Sequence, residues 1–129
     1  MDTRKHIAAE KKRLGSHNCA QAITTTYADF VGLTPEVALH LGGAFAAGMG
    51  NMEGTCGALV GAGMILGMAC PDRAVAMKRM RSMMQQFHER NGATQCALLK
   101  GKGADAPLRA CPDCVADAAE FLEQALAED

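Results

Sequence analysis

The sequence predicts an all-α protein, a compact helical bundle forming a single domain over residues 1–129. Three observations predict it. Apolar residues recur at helical spacing, helix start and stop signals punctuate the chain at regular intervals, and no segment alternates as a half-buried strand does. A chain of 129 residues suits one domain with a real core, and 49% hydrophobic with 21% charged residues is ordinary globular composition.

The elements follow in order. Asp2 or Thr3 opens a first helix that runs to Leu14, and Gly15 ends it. A second begins near Asn18, carries the apolar stripe Ala20, Ile23, Tyr27, Phe30 and Val31, and closes at Gly32. Thr34-Pro35-Glu36 gives cap, proline at the first helical position and acid, opening a third helix to about Ala46. Residues 47–54 form a loop. Thr55 then caps a helix to Met68 that is apolar on all sides and therefore buried, with Pro71 as its stop. Asp72 starts a long helix to Asn91, capped by Gly92, with Ala76, Met80, Met83 and Phe87 facing inward and Lys78, Arg79 and Arg81 on the outer faces. Thr94 opens a short helix ending at Gly101, and Gly101 to Leu108 is a loop. Pro112 opens the last helix, with Val115, Ala118, Ala119, Leu122 and Leu126 inward.

Charge and hydropathy exclude several functions. A net charge of −1 argues against a nucleic-acid binder and against attachment to anionic membranes. The apolar run 54–71 falls short of the ~20 residues a membrane span needs. The N-terminal residues have no apolar signal segment, so the expected location is the cytoplasm, where thiols stay reduced. Six cysteines in that setting suggest metal or redox chemistry more than a disulfide framework. No Ser–His–Asp set, phosphate loop or paired-carboxylate site stands out.

Five of the six cysteines fall in the first turn of a predicted helix: Cys19, Cys56, Cys96, Cys111 and Cys114. Only Cys70 falls at a helix C-terminus. A helix start offers unpaired N–H groups and partial positive charge, which favour thiolate over thiol. If those starts converge, they make a pocket for anionic sulfurs. Gly57 and Gly61 fit either close approach to sulfur or plain helix packing. Cys111-Pro112-Asp113-Cys114 reads as a CxxC at a helix start. It suits metal binding, and it suits a dithiol, although the βαβ setting of thiol–disulfide oxidoreductases is absent. No His follows Cys114, so it is no c-type haem site. His17 lies beside Cys19 as an outside nitrogen ligand. Glu53, three residues before Cys56, is a proton carrier or a solvated loop carboxylate. The methionines Met77, Met80, Met83 and Met84 read as core packing rather than a copper site.

Asn18-Cys19-Ala20-Gln21-Ala22, then Met49-Gly50 followed by Thr55-Cys56-Gly57-Ala58-Leu59-Val60-Gly61-Ala62, then Phe87, Asn91-Gly92, Cys96 and Cys111-Pro112 together resemble the C-GCAxxG-C-C redox-active family. The resemblance spans about Gly15 to Leu126. It implies four characteristic cysteines, which are Cys19, Cys56, Cys96 and Cys111. It also implies a relation to the domain of split-Soret cytochromes that is associated with an iron–sulfur centre. Cys70 and Cys114 are additions to that pattern, so either Cys111 or Cys114 can supply the fourth thiolate.

Three readings of the cysteines stand, beside that of a helical interaction module whose cysteines are incidental. Cys19, Cys56, Cys96 and Cys111 hold an iron–sulfur cluster such as [2Fe–2S], or another metal, for electron transfer or redox sensing. Alternatively, the redox thiols Cys19, Cys56, Cys111 and Cys114 cycle as pairs, Cys111 with Cys114 or Cys19 with Cys56. In the third reading, zinc pins the helix starts together with no catalysis. The expected associations are a redox partner and a homo-oligomer, with no nucleic acid and no membrane span.

Overall fold

The computed structural model describes residues 2–102 and 105–128. Among these, seven α-helices account for the fold: α1 Lys5–Arg13, α2 Cys19–Tyr27, α3 Pro35–Leu41, α4 Gly57–Ala69, α5 Arg73–Asn91, α6 Cys96–Leu99 and α7 Cys111–Leu126. The fold is all-α. The described residues contain no strand, only one antiparallel bridge between Thr55 and Gln95. No described helix is long and apolar enough to cross a membrane.

α2, α4 and α7 form the centre. α4 packs on α2 and on α7, while α1 and α5 cover α7 from other sides. Ile23, Tyr27, Leu59, Ile65, Leu66, Met83, Phe87, Val115 and Leu122 make the interior. The α2–α4 crossing depends on glycine. A Cβ at Gly61 would lie 2.8 Å from the Ala20 carbonyl oxygen, and one at Gly57 would lie 2.4 Å from that of Phe45. Both are too close for real atoms, so the two glycines are helix-packing residues that also bring α4 beside Cys19.

Several boundaries differ from expectation, each for a local reason. α1 is capped by Arg4 rather than Asp2 or Thr3, although Thr3 Oγ1 accepts from the Lys5 N–H at 3.3 Å. α2 ends at Tyr27 and continues as a tight 3₁₀ turn through Val31. The tighter turn rotates Phe30 off the inner stripe. It is 44% exposed and lies under the Arg4 guanidinium instead. α3 stops at Leu41 rather than Ala46 because the chain turns at Gly42, where a Cβ would sit 2.8 Å from the Gln21 nitrogen.

α4 starts one residue later than expected, since Thr55 is engaged in the bridge and Cys56 takes the cap position. Its burial is uneven. Residues from Gly57 to Leu66 are largely interior, whereas Met68 is 52% exposed. α5 keeps its expected cap, Asp72 Oδ1 accepting from the Ala74 and Val75 N–H groups, and ends at left-handed Gly92. Arg79 does not point freely outward. It reaches the Cys70 sulfur at 3.1 Å and Glu128 at 3.5 Å. The short helix α6 spans only Cys96–Leu99, capped by Gln95 rather than Thr94. Residues 103 and 104 of the expected Gly101–Leu108 loop lie outside the described residues.

Candidate functional site

Five sulfurs are delivered by four separate helix starts. Cys19 is the first residue of α2. Its cap is reciprocal: Asn18 Oδ1 accepts from the Gln21 N–H at 2.8 Å, and Gln21 Oε1 accepts from the Asn18 N–H at 3.0 Å. Asn18 Nδ2 also donates to the Gly42 carbonyl at 3.0 Å, fixing α2 against the turn after α3.

Cys56 and Cys96 are tied together through their backbones. The Cys56 N–H donates to the Thr94 carbonyl at 2.8 Å, and the Cys96 N–H donates to the Gly54 carbonyl at 3.0 Å. The segment 47–54, expected as a loop, is wound as a wide turn over Gly48–Met52, with Ala47, Met49 and Met52 all left-handed. Gly48 (φ 58°) presses on α6. A Cβ there would be 2.6 Å from the Cys96 Cβ. That turn therefore seats Cys96, and only glycine fits it.

Cys111 and Cys114 occupy the first turn of α7, whose entry is held by a buried carboxylate. Asp117, 4% exposed, accepts from Arg109 Nε at 3.1 Å and Nη2 at 3.2 Å, from Arg90 Nη1 at 3.0 Å and from Asn91 Nδ2 at 3.1 Å. This network joins the end of α5 to the residues entering α7. Asp117 was not among the expected inward residues. A carboxylate between Val115 and Ala118 on the apolar face was the signal available in the sequence.

Cys19, Cys56, Cys96, Cys111 and Cys114 line one cavity of about 120 Å³, together with Asn18, Lys12, Lys100 and Arg109. Cys70 is elsewhere, at the far end of α4. His17 does not line the cavity and pairs with Ser16 through Nδ1 at 2.8 Å. Glu53 is an exposed side chain bonded to Asn51. All six cysteines are free thiols.

Within the cavity the sulfurs come as pairs. Cys19 and Cys111 influence each other most strongly, as do Cys56 and Cys114, while the Cys114 thiol also points to the Arg109 carbonyl at 3.9 Å. No disulfide joins any of Cys19, Cys56, Cys111 and Cys114. Two cysteines three apart at a helix start each find a partner on a different helix. Among the described residues, no three Cys, His, Asp or Glu side chains gather tightly enough to hold one metal ion. Five sulfurs around one cavity and no three on one point are compatible, because pairing distributes them.

Electrostatics separates the members of each pair, and here the expectation that every helix-start thiol is acidified fails. The Cys111 thiol is pushed down to about 6 by the hydrogen bond from Cys19, with the Lys100 and Lys12 charges and its own helix start assisting against burial. Cys56 is also lowered, by the Cys114 thiol and by the Ala58 and Leu59 N–H groups of α4. Cys19 and Cys114 are raised, by interaction with the partner sulfurs of Cys111 and Cys56 and by burial. Cys96 is raised by burial.

Over residues 17–125 the sequence matches the family described as "Putative redox-active protein (C_GCAxxG_C_C)". The protein belongs to this family. The match begins just before Cys19 and ends within α7, so all five cavity cysteines of the C_GCAxxG_C_C chain lie inside it. No curated protein and no solved structure matches the chain. Three lining residues, Lys12, Lys100 and Arg109, were not anticipated from the motif, and Lys12 precedes the matched region.

Proposed function

We propose that this C_GCAxxG_C_C protein transfers electrons or senses redox state through a thiolate-held iron–sulfur cluster. The observation that carries this reading is the convergence of sulfurs from four helix starts on one cavity. The donor set fits such a group in kind. Among the described residues the lining offers five soft sulfurs, no carboxylate and no imidazole. The pairing bears on which group fits. A single tetrahedral zinc needs three or four ligands about one point, which the described residues do not offer. A two-iron cluster takes its thiolates two per iron, and pairs suit it.

Cys19 and Cys111 would supply one pair. Cys56 would supply half of the other, completed by Cys96, as the family pattern implies, or by Cys114. Such a centre, when bound, supplies one-electron chemistry. The chain's own part is to hold sulfurs as thiolates, to exclude bulk water with Leu99, Ala46 and Ala47, and to surround negative charge with N–H groups and cations. The test is purification without oxygen, followed by iron, sulfide and zinc analysis and a visible spectrum. Iron and acid-labile sulfide with charge-transfer bands are expected. Zinc at one per chain, or a colourless metal-free protein that also fails to take up iron and sulfide, overturns the reading.

The two thiol pairs favour a second reading, in which the protein is a thiol–disulfide couple. A small disulfide would be attacked by the Cys111 thiolate, releasing one thiol. Cys19 would then displace the second, leaving a Cys19–Cys111 disulfide. Peptide mass mapping after mild treatment with oxidised glutathione should find Cys19–Cys111 and Cys56–Cys114 links. Uniform, independent modification of all thiols defeats it.

A further inference from the structure

Lys12 and Lys100 line the sulfur cavity although no motif marks them. They reach it from elements remote in sequence, Lys12 from the last turn of α1 and Lys100 from the residue that ends α6. Among the described residues neither forms an ion pair. The third cation, Arg109, differs from them, because Asp117 grips it through two hydrogen bonds and offsets its charge. Among the described residues, no carboxylate lines the cavity. Both lysines act on the same sulfurs, since their charges bear on Cys96 and Cys111, and that of Lys12 also on Cys19.

We propose that Lys12 and Lys100 are the countercharges of the sulfur cavity, drawing anionic reagents to its thiols and holding a thiolate-ligated centre toward its more negative, reduced state. They are positioning residues and touch no reacting bond. The redox half rests on the iron–sulfur reading, whereas the anion half does not. Four thiolates, two sulfides and two ferric irons sum to two negative charges. One electron from a low-potential reductant such as dithionite makes that three, with no bond made or broken. Cations beside a partly buried centre stabilise the added charge.

The first arm uses the reduced, metal-free protein. Cys111 is alkylated with anionic iodoacetate and, separately, with neutral iodoacetamide. Both reagents need the same thiolate, so the ratio of their rates cancels ionisation and reads the local potential. Lys12→Gln and Lys100→Gln should each lower the iodoacetate-to-iodoacetamide ratio about three- to tenfold, Lys→Arg should restore it, and salt should lower it in the wild type. A ratio that none of these changes overturns the anion half.

The second arm reads the midpoint potential of the loaded protein by spectroscopic titration. The Gln variants should shift the equilibrium toward the oxidised form by up to about tenfold, equivalent to 59 mV for one electron. An unmoved potential overturns the redox half. A wild type that takes up no iron defeats the iron–sulfur reading and the redox half with it, and the alkylation arm still decides the anion half.

Discussion

Cys56 precedes α4 and Cys70 follows it, so the same helix presents one thiol at each end. At the first end the backbone folds back on itself, glycines allow close approach, three other helix starts arrive, and the sulfur is buried among sulfurs. At the second end Cys70 is half-buried, in extended backbone, with Arg79 at 3.1 Å, and it does not line the cavity. The contrast teaches that cysteine content does not make a site here. What makes it is the direction in which the helices point. N-termini carry unpaired donors and positive charge inward, and a C-terminus does not.

The comparison can be broken most directly by substitution at its two ends. Cys56→Ala should abolish uptake of iron and sulfide, while Cys70→Ala should leave it intact, as read by metal analysis after anaerobic reconstitution. Equal loss in both would dissolve the distinction. Next in size is Asp117→Ala, which leaves Arg109, Arg90 and Asn91 without their shared acceptor. Both arginines are partly exposed, so the loss should be about 2–3 kcal/mol in urea denaturation rather than the fully buried value.

The glycines of α4 give a finer probe. Gly57→Ala drives a Cβ to 2.4 Å from the Phe45 carbonyl oxygen and should cost about 1–3 kcal/mol. Gly67→Ala meets nothing within 4 Å and should gain about 0.5–1 kcal/mol, since alanine is the better helix former. Thermal denaturation of the pair decides whether the cavity end alone is tightly packed.

The smallest effect is one of pH. In the reduced, metal-free protein Cys111 labelling should fall by half near pH 6, the value to which its thiol is lowered. Cys19, Cys96 and Cys114 should label slowly at pH 7, because burial and neighbouring sulfurs hold them above the ordinary thiol range. Mass spectrometry resolved by residue checks this, and equal rates for Cys111 and Cys19 would remove the pair asymmetry.

Much of the frame was legible. Thr34-Pro35, Asp72 and Gly92 act as punctuation by local chemistry alone, and the structure uses them as expected. The helix-start positions of all five cavity cysteines were likewise local facts, with Cys56 at the cap and the other four in the first turn. Phe30 and Arg79 were misplaced, because a 3₁₀ turn changes angular phase and an ion pair with Glu128 draws a side chain off its face. Lys12 and Lys100 could not be assigned to the site, whereas Asp117 carried a signal in its place on the apolar face of the last helix. A charged residue on a helix looks the same in sequence whether it faces solvent or a cavity.

What the residues themselves determined is helical class, the family pattern and the placing of five of the six thiols at the positive end of a helix, because caps, prolines and glycines act within a few residues of where they stand. Which sulfur meets which, which thiol loses its proton, and which lysines face them were decided only by tertiary packing. Those outcomes depend on distances between segments up to about one hundred residues apart, from Lys12 to Cys111, and on burial that no single segment creates.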